Sequence, residues 1–334
     1  GFGGQLCAVM NGAVKCWGEN GFGQVGDGTT HGVPLPQVVV VDEEARRVAA
    51  LARQGNAASR NSSSDASGRF VVFESDASNL VPNDTNGRSD IFRIDRETGL
   101  TERVSVDDAE GQIAGASIEP SVSANGQYVV FVAPAAAVAK LHGEGRKAGQ
   151  ARRKSSGSVV YLRNMLSGTT QSMGSATMAG AGTEPQLAPS ATAVAFTSDN
   201  PTGSIGPPGK ENVYYVPLTP DGASLVPGPV TCVSCKALNA DGTPGADADG
   251  ESRNVAISAD GKQVAYETTS KNALVAAPSP CPTGSADILL RDLLSGSAQR
   301  MSPAASMPSA SCGSSGSTAP SIDYAGNTLA FQSD

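Results

Sequence analysis

The sequence predicts an all-β protein built from repeated four-stranded antiparallel units, and two observations support this. Its 334 residues include 39 Gly and 21 Pro and are only 17% charged, a composition that favours short strands joined by many turns. In addition, one hairpin pattern recurs along the chain: a tight turn, then an apolar run rich in β-branched residues that closes on an aromatic residue. The closing aromatic residues are Phe73, Phe131, Phe196, Tyr266 and Phe331.

The turn that opens each copy is recognisable from its glycine. A glycine after a small or polar residue supplies the positive φ that a two-residue hairpin turn requires. The turn pairs are Ser67-Gly68, Asn125-Gly126, Asp260-Gly261 and Ala325-Gly326. The third copy, residues 189–196, lacks this glycine and is a degenerate member of the series.

A second strand pair follows the first in each complete repeat. Residues 90–95 turn at 97–99 into a strand at 101–106, and equivalent pairs turn at 167–168, 221–222 and 295–296. Each repeat is therefore a sheet of four antiparallel strands. One such sheet cannot bury both of its faces, whereas several packed side by side around an axis can, which predicts a β-propeller.

The repeats resemble those of TolB-like and WD40-like (PD40) propellers, most closely at residues 73–87 and 95–99. The resemblance covers about residues 46 to 334 and implies a six-bladed propeller. Four complete blades are predicted, at about 58–115, 116–180, 181–250 and 251–315, with a partial blade at 316–334. Residues 47–51 match the last strand of a preceding blade. We therefore expect 42–334 to form an open or truncated TolB-like propeller and the chain to be a fragment.

Residues 1–41 are predicted to form a separate segment. The runs Cys-Ala-Val at 7–9, Val-Lys-Cys-Trp-Gly-Glu-Asn at 14–20 and Gly-Gln-Val-Gly-Asp-Gly-Thr at 23–29 resemble one RCC1-type (regulator of chromosome condensation) repeat. A single repeat of this kind cannot complete a propeller by itself. The segment is expected to be a repeat remnant or a docking module.

Composition narrows the classes of partner. The net charge of -8 argues against nucleic acid, because a binder of phosphate backbones normally carries an excess of Lys and Arg on one face. No apolar run approaches the roughly 18 to 20 residues that a membrane span needs. We expect neither a nucleic-acid partner nor a membrane span, and no cofactor motif is recognised.

Six cysteines fall into three local groups, which permits three short-range disulfides and indicates an oxidising compartment. The groups are Cys7 with Cys16, Cys232 with Cys235, and Cys281 with Cys312. Two alternatives stay open: a redox-active pair at 232–235, and a zinc site built from the last four cysteines. Loop-stapling disulfides or free thiols are the favoured interpretation.

Loop length gives the only positional argument for a binding site. The loops between second and third strands and the connections between blades are long, as at 134–157 and 233–253, and both classes emerge on one face of a propeller. One such loop carries a basic island, which suits an acidic partner or is simply a solvated, mobile segment. Its Lys and Arg residues are Lys140, Arg146, Lys147, Arg152, Arg153 and Lys154.

Two loops carry weak calcium candidates. Asp84, Asn86 and Asp90 place oxygen atoms at alternate positions around a glycine, but the spacing and distal Glu of an EF-hand are absent. Residues 247–251 are a weaker candidate of the same kind. Turn formation by Asp and Asn is the favoured explanation for both segments.

The residues give little support for catalysis. His31 and His142 are the two histidines, and neither a phosphate-cradling loop nor a dinucleotide fingerprint occurs. We expect a non-enzymatic binding or scaffold module of a secreted, periplasmic or cell-surface bacterial protein, with a protein or polysaccharide partner. Because TolB-like propellers also accompany hydrolase domains, an accessory gating propeller of a larger hydrolase is the alternative, and a structural spacer is a third.

Overall fold

The computed structural model describes residues 5–10, 13–18, 33–38, 54–134, 157–173, 182–199, 209–239, 244–274, 286–302 and 317–333. These residues form strands and turns and contain no helix, so the predicted all-β class is confirmed. None of them forms a helix that could span a bilayer.

Four sheets repeat the same plan of four antiparallel strands in chain order. Blade 1 consists of β4 (Ser59–Ser64), β5 (Phe70–Ser75), β6 (Asp90–Asp95) and β7 (Leu100–Arg103). Blade 2 consists of β8 (Ile118–Val122), β9 (Tyr128–Pro134), β10 (Ser158–Asn164) and β11 (Thr169–Ser172). Blade 3 consists of β12 (Gly182–Leu187), β13 (Ala193–Ser198), β14 (Asn212–Asp221) and β15 (Ser224–Pro227), with β16 (Thr231–Cys232) also paired to β14. Blade 4 consists of β19 (Ser252–Ile257), β20 (Gln263–Thr268), β21 (Asp287–Asp292) and β22 (Ala298–Arg300).

Three smaller sheets complete the described structure. An N-terminal sheet has the order β1 (Gln5–Met10), β2 (Ala13–Gly18), β3 (Val33–Val38). A hairpin between blades 3 and 4 pairs β17 (Lys236–Leu238) with β18 (Pro244–Asp247), and blade 5 pairs β23 (Ser317–Ile322) with β24 (Leu329–Ser333). The RCC1-type assignment of the N-terminal sheet stays a prediction.

The hydrophobic core lies between neighbouring blades. Strand β9 is buried on both faces: Val129 and Phe131 pack toward Ile91 of blade 1, whereas Val130 packs toward Phe196 of blade 3. Since successive side chains of a strand point to opposite faces, this period of two gives each inner sheet two apolar surfaces. The blades are therefore held together by the burial that the repeat pattern predicted.

The turns between first and second strands join blade to blade through backbone hydrogen bonds. Ala66 N donates to Ala124 O at 3.0 Å, and Ala124 N donates to Pro189 O at 2.7 Å. The degenerate third copy takes part in this chain because Ala191 adopts a left-handed φ of 56°, where the other copies have glycine. The predicted hairpin thus forms without its glycine.

The opposite face carries the long loops. Asn56, in the connection before blade 1, exchanges hydrogen bonds with Ser78 and Asn79 in the loop between β5 and β6. In blade 4, Asp249 of the preceding connection accepts from Ser270 Oγ at 2.8 Å. In these two blades both classes of long loop therefore lie on one face, as the sequence predicted.

Candidate functional site

A β-bulge recurs in the first strand of every blade. Each of β4, β8, β12, β19 and β23 shifts register against its second strand, so that two residues oppose one. One residue in each bulge has a left-handed φ, which costs a non-glycine residue of the order of 1–3 kcal/mol. These residues are Asn61 (51°), Glu119 (55°), Glu184 (51°), Asn254 (51°) and Ala319 (50°).

The five bulges line an open cavity of about 560 Å³ between the first strands. Prolines that follow three of the bulge residues form part of its wall: Pro120, Pro185 and Pro320. The cavity lies at the centre of the arrangement of blades, which is where a propeller brings residues from every repeat together. We call it the axial cavity.

Carboxylates connect the bulges from blade to blade. Glu74 Oε2 accepts the backbone N–H of Glu119 at 3.2 Å, and Glu119 Oε2 accepts that of Glu184 at 2.7 Å. Glu184 Oε2 in turn accepts the backbone N–H of Asn254 at 2.8 Å. In blades 2, 3 and 4 the bulge frees an N–H from the strand ladder, and a carboxylate from the preceding blade satisfies it.

Glu74, which begins this series, and Glu267, which accepts from the Asn254 side chain at its other end, are both neutralised. Glu74 and Glu267 are 2% and 1% exposed, and they pair with Arg60 at 2.7 Å and Arg253 at 2.9 Å. The same two carboxylates also accept from the side-chain amides of the adjacent bulge asparagines. They are satisfied structural anions.

Glu119 and Glu184 differ from these two anions. Both are half-buried, and among the described residues neither has an ion-pair partner. Burial raises the pKa of Glu119, and repulsion by Glu184 and Glu74 adds to the effect. Burial also raises the pKa of Glu211, again reinforced by repulsion from Glu184. Arg253, which pairs with Glu267, also attracts Glu184 and Glu211 and offsets part of this repulsion. The excess of negative charge is therefore greatest around Glu119, where an added cation would relieve it.

The structure brings the predicted calcium ligands together but gives them other partners. Gln112 Nε2 donates to Asp84 Oδ1 at 2.9 Å and to Asp90 Oδ2 at 2.7 Å. Arg103 lies 3.4 Å from Asp84 and 3.5 Å from Asp90, and the Asn86 amide nitrogen points at the Asp90 carboxylate at 3.4 Å. Donors and a cation occupy the carboxylates, so this cluster anchors the loop between β5 and β6. Within the described ranges no group of three or more metal-ligating side chains was found.

The other candidate residues are described in part. The sulfur atoms of Cys232 and Cys235 lie 1.83 Å apart as a disulfide, and Cys7 and Cys16 are direct register partners in the β1–β2 hairpin. The remaining candidates lie outside the described residues: Cys281, Cys312, Lys140, Arg146, Lys147, Arg152, Arg153 and Lys154.

Sequence reasoning missed the axial cavity. The signal lies a few residues before each hairpin turn, where Glu119-Pro120, Glu184-Pro185 and Ala319-Pro320 occupy equivalent positions. Asn61 and Asn254 stand at the same place in the other two copies. The recurrence of a polar residue, or of a proline after it, at one position of each first strand is the signal that could have predicted residues facing the propeller axis.

No family model matches the chain, and no curated protein matches it. Among solved structures it is similar to TolB from Acinetobacter baumannii, with 15% identity and a TM-score of 0.44 over 95% of this chain and 53% of that chain. It is also similar to a putative TolB from Agrobacterium tumefaciens, with 12% identity and a TM-score of 0.42 over 89% of this chain and 76% of that one. An oligogalacturonate lyase from Vibrio parahaemolyticus gives 13% identity and a TM-score of 0.44 over 96% and 68%. The chain spans about half the length, 53%, of the first of these. Similarities this low do not extend to function.

Proposed function

We propose that the chain is a non-enzymatic binding module whose axial cavity receives a positively charged segment of a protein partner. The observation that carries the proposal is the pair Glu119 and Glu184, two half-buried carboxylates on the cavity wall without an ion-pair partner among the described residues. A lysine or arginine side chain entering the cavity would supply the missing cation and donate charge-assisted hydrogen bonds.

The size and lining of the cavity support a side-chain ligand. Its volume of about 560 Å³ falls in the usual range for ligand sites, roughly 300–1,000 Å³. Pro320 is half-buried and offers apolar surface in the cavity, whereas Pro120 and Pro185 line the cavity but are largely buried. The methylene stem of a lysine or arginine could pack on such surface while its charged end meets a carboxylate.

A binding role also accounts for the geometry of the carboxylates. One oxygen of Glu119 and one of Glu184 are held by backbone N–H groups, which fixes both side chains before a ligand arrives. Preformed acceptors reduce the ordering cost of association. We place the module in a secreted, periplasmic or cell-surface protein, an assignment supported by the Cys232–Cys235 disulfide.

The test measures binding of a blocked tetralysine peptide by calorimetry at low ionic strength. In the Glu119→Gln/Glu184→Gln variant we expect affinity to fall by at least about tenfold, or about 1.4 kcal/mol. The matched control, Glu97→Gln/Asp221→Asn, removes the same charge from two exposed turns and should bind like the unmodified chain. Wild-type affinity should also fall as the pH is lowered from 7 and Glu119 becomes protonated.

Two results would overturn the proposal. If the affinity for tetralysine fell equally in both variants, binding would reflect only general attraction between the peptide and a negatively charged protein. Binding of a neutral or uronate oligosaccharide in the absence of tetralysine binding would instead favour a polysaccharide partner.

A further inference from the structure

Blades 1 and 4 fasten their fourth strands with the same buried ion pair. Arg103 on β7 lies opposite Phe92 on β6, with its Nε 3.5 Å from Asp90 Oδ2. Arg300 on β22 lies opposite Leu289 on β21, with its Nε 3.4 Å from Asp287 Oδ2. In both blades the aspartate stands two residues before the position that faces the arginine.

Blades 2 and 3 have neither member of this pair: in blade 2, Ser172 lies opposite Tyr161, and Val159 stands where blades 1 and 4 have aspartate. Cys232 on β16 lies opposite Tyr214, the position that arginine holds in blades 1 and 4. Asn212, two residues before Tyr214, stands where those blades have aspartate. Blade 3 thus has two uncharged residues, Cys232 and Asn212, at the positions of the ion pair, and Cys232 forms a disulfide with Cys235.

A serine shared by blades 1, 3 and 4 confirms that these positions are equivalent. This serine stands two residues after the arginine or cysteine. The serine hydroxyl donates to the aspartate or asparagine at the start of the third strand. The three bonds are Ser105 to Asp90 at 2.8 Å, Ser234 to Asn212 at 3.1 Å and Ser302 to Asp287 at 3.0 Å. In blade 3 the disulfide therefore starts at the arginine position, but it closes the loop to Cys235 and does not link β16 to β14 as the ion pair links β7 to β6.

The disulfide loop also joins blade 3 to its neighbour. Arg291 of blade 4 donates to the carbonyl of Val233, inside the loop. Ala248 N, in the connection that leads to blade 4, donates to Cys235 O at 2.9 Å. Movement of this short loop would therefore reach β16, the blade 3 to blade 4 contact and the connection on the long-loop face.

We propose that the Cys232–Cys235 disulfide is a redox site that holds the end of β16 in blade 3, where blades 1 and 4 have an ion pair, and that its reduction by a dithiol loosens β16, residues 236–239 and residues 244–250. The proposal does not depend on the axial cavity. Cys232 is half-buried whereas Cys235 is 2% exposed, so Cys232 is the more accessible residue of the pair and the one at which we expect a thiolate to attack.

The exchange is balanced by the dithiol. Its first thiolate forms a mixed disulfide with Cys232, and Cys235 leaves as a thiolate and takes up a proton. The second thiol of the reductant then attacks the mixed disulfide and releases Cys232. Two protein thiols and one oxidised reductant result, with two electrons and two protons transferred to the protein.

The test is hydrogen–deuterium exchange of the whole chain, read by mass spectrometry, with and without dithiothreitol. We expect exchange in 226–239 and 244–250 to accelerate by about tenfold or more on reduction, because the loop that follows β16 loses its covalent closure. The equivalent segments 100–106 and 298–302, fastened by ion pairs, should be unchanged and serve as internal references.

A variant that restores the ion pair is the matched control. In Asn212→Asp/Cys232→Arg/Cys235→Ser, exchange in 226–239 should be slow and insensitive to dithiothreitol, although the other four cysteines remain. A second variant, Cys232→Ala/Cys235→Ala, should exchange like the reduced wild-type chain under both conditions.

The proposal is overturned if 226–239 exchanges equally in the oxidised and reduced chains, with reduction of both cysteines shown by alkylation. It is also overturned if the pair resists alkylation in dithiothreitol while the folded chain is intact, or if the Ala variant exchanges as slowly as the oxidised protein.

Discussion

Glu74 is the position at which a single substitution should test the carboxylate connections between blades. Its side chain is 2% exposed and is held by Arg60 at 2.7 Å. It also accepts from Asn61 Nδ2 at 2.9 Å, Ser89 Oγ at 3.1 Å and the backbone N–H of Glu119 at 3.2 Å. Substitution by alanine leaves these donors without their acceptor and opens a polar void between blades 1 and 2.

The cost follows from how deeply each partner lies. Arg60 is 46% exposed and can turn to water, so its ion pair contributes little. Asn61 is also exposed and can turn to water. The Ser89 hydroxyl and the backbone N–H of Glu119 are less exposed, and hydrogen bonds to charged groups are worth about 1.5–3 kcal/mol each, without strict additivity. We expect Glu74→Ala to lower the free energy of unfolding by about 3–5 kcal/mol, as for breaking a buried pair.

Urea unfolding at pH 7, followed by circular dichroism, measures this effect. Glu74→Gln keeps one oxygen acceptor and should cost clearly less than Glu74→Ala. The control, Glu97→Ala, removes a carboxylate that is 67% exposed and should change stability by no more than about 0.5 kcal/mol. If Glu74→Ala were no more destabilising than Glu97→Ala, the carboxylate connections would not hold the blades together.

Two further predictions concern a turn and the buried phenols. Gly126→Ala should destabilise the chain by about 1–3 kcal/mol more than Gly87→Ala in urea unfolding. Both glycines have positive φ, but a Cβ on Gly126 would lie 2.3 Å from Phe70 Cδ2, whereas nothing lies within 4 Å of a Cβ on Gly87. Equal losses of stability in the two variants would contradict this packing. Burial raises the pKa of Tyr161 and Tyr266 to about 12. The folded chain therefore keeps two protons that the unfolded chain loses near pH 10. The free energy of unfolding should fall as the pH rises from about 10 to 12. Absorbance at 295 nm should show a late-titrating fraction that Tyr161→Phe/Tyr266→Phe reduces but does not abolish, because burial also raises the pKa of Tyr215. An unchanged late fraction in that variant would assign it to other tyrosines.

The strand plan could be predicted because it depends on local signals. Alternating apolar residues and a turn glycine define each hairpin, and the strands ending near Phe73, Phe131 and Tyr266 form as the pattern indicates. The turn at Ala191 shows that contacts between blades can impose a left-handed conformation that the local sequence does not favour. Tertiary packing supplies what the missing glycine would have given.

The axial cavity could not be predicted in the same way because its residues come from five separate repeats. No window of sequence shows that the Glu119 carboxylate meets the backbone of Glu184, 65 residues away. The bulge residues also differ in type, since the feature they share is a backbone conformation that Asn, Glu and Ala all adopt here. A single sequence displays such a site only after its blades have been aligned with one another.

The carboxylates of the axial cavity have two separable roles. As hydrogen-bond acceptors, they satisfy the N–H groups that the bulges free from the ladder, and any oxygen acceptor of the same shape can do this. As charges, Glu119 and Glu184 repel each other, so they oppose folding unless a cation enters. Glu119→Gln keeps the acceptor for Glu184 N–H and removes the charge, so it should maintain or raise stability at pH 7 while weakening tetralysine binding. If Glu119→Gln lowered both the stability and the tetralysine binding, the charge itself would support the fold. A charge that lowers stability and is nevertheless retained is expected of a binding site rather than of a structural contact.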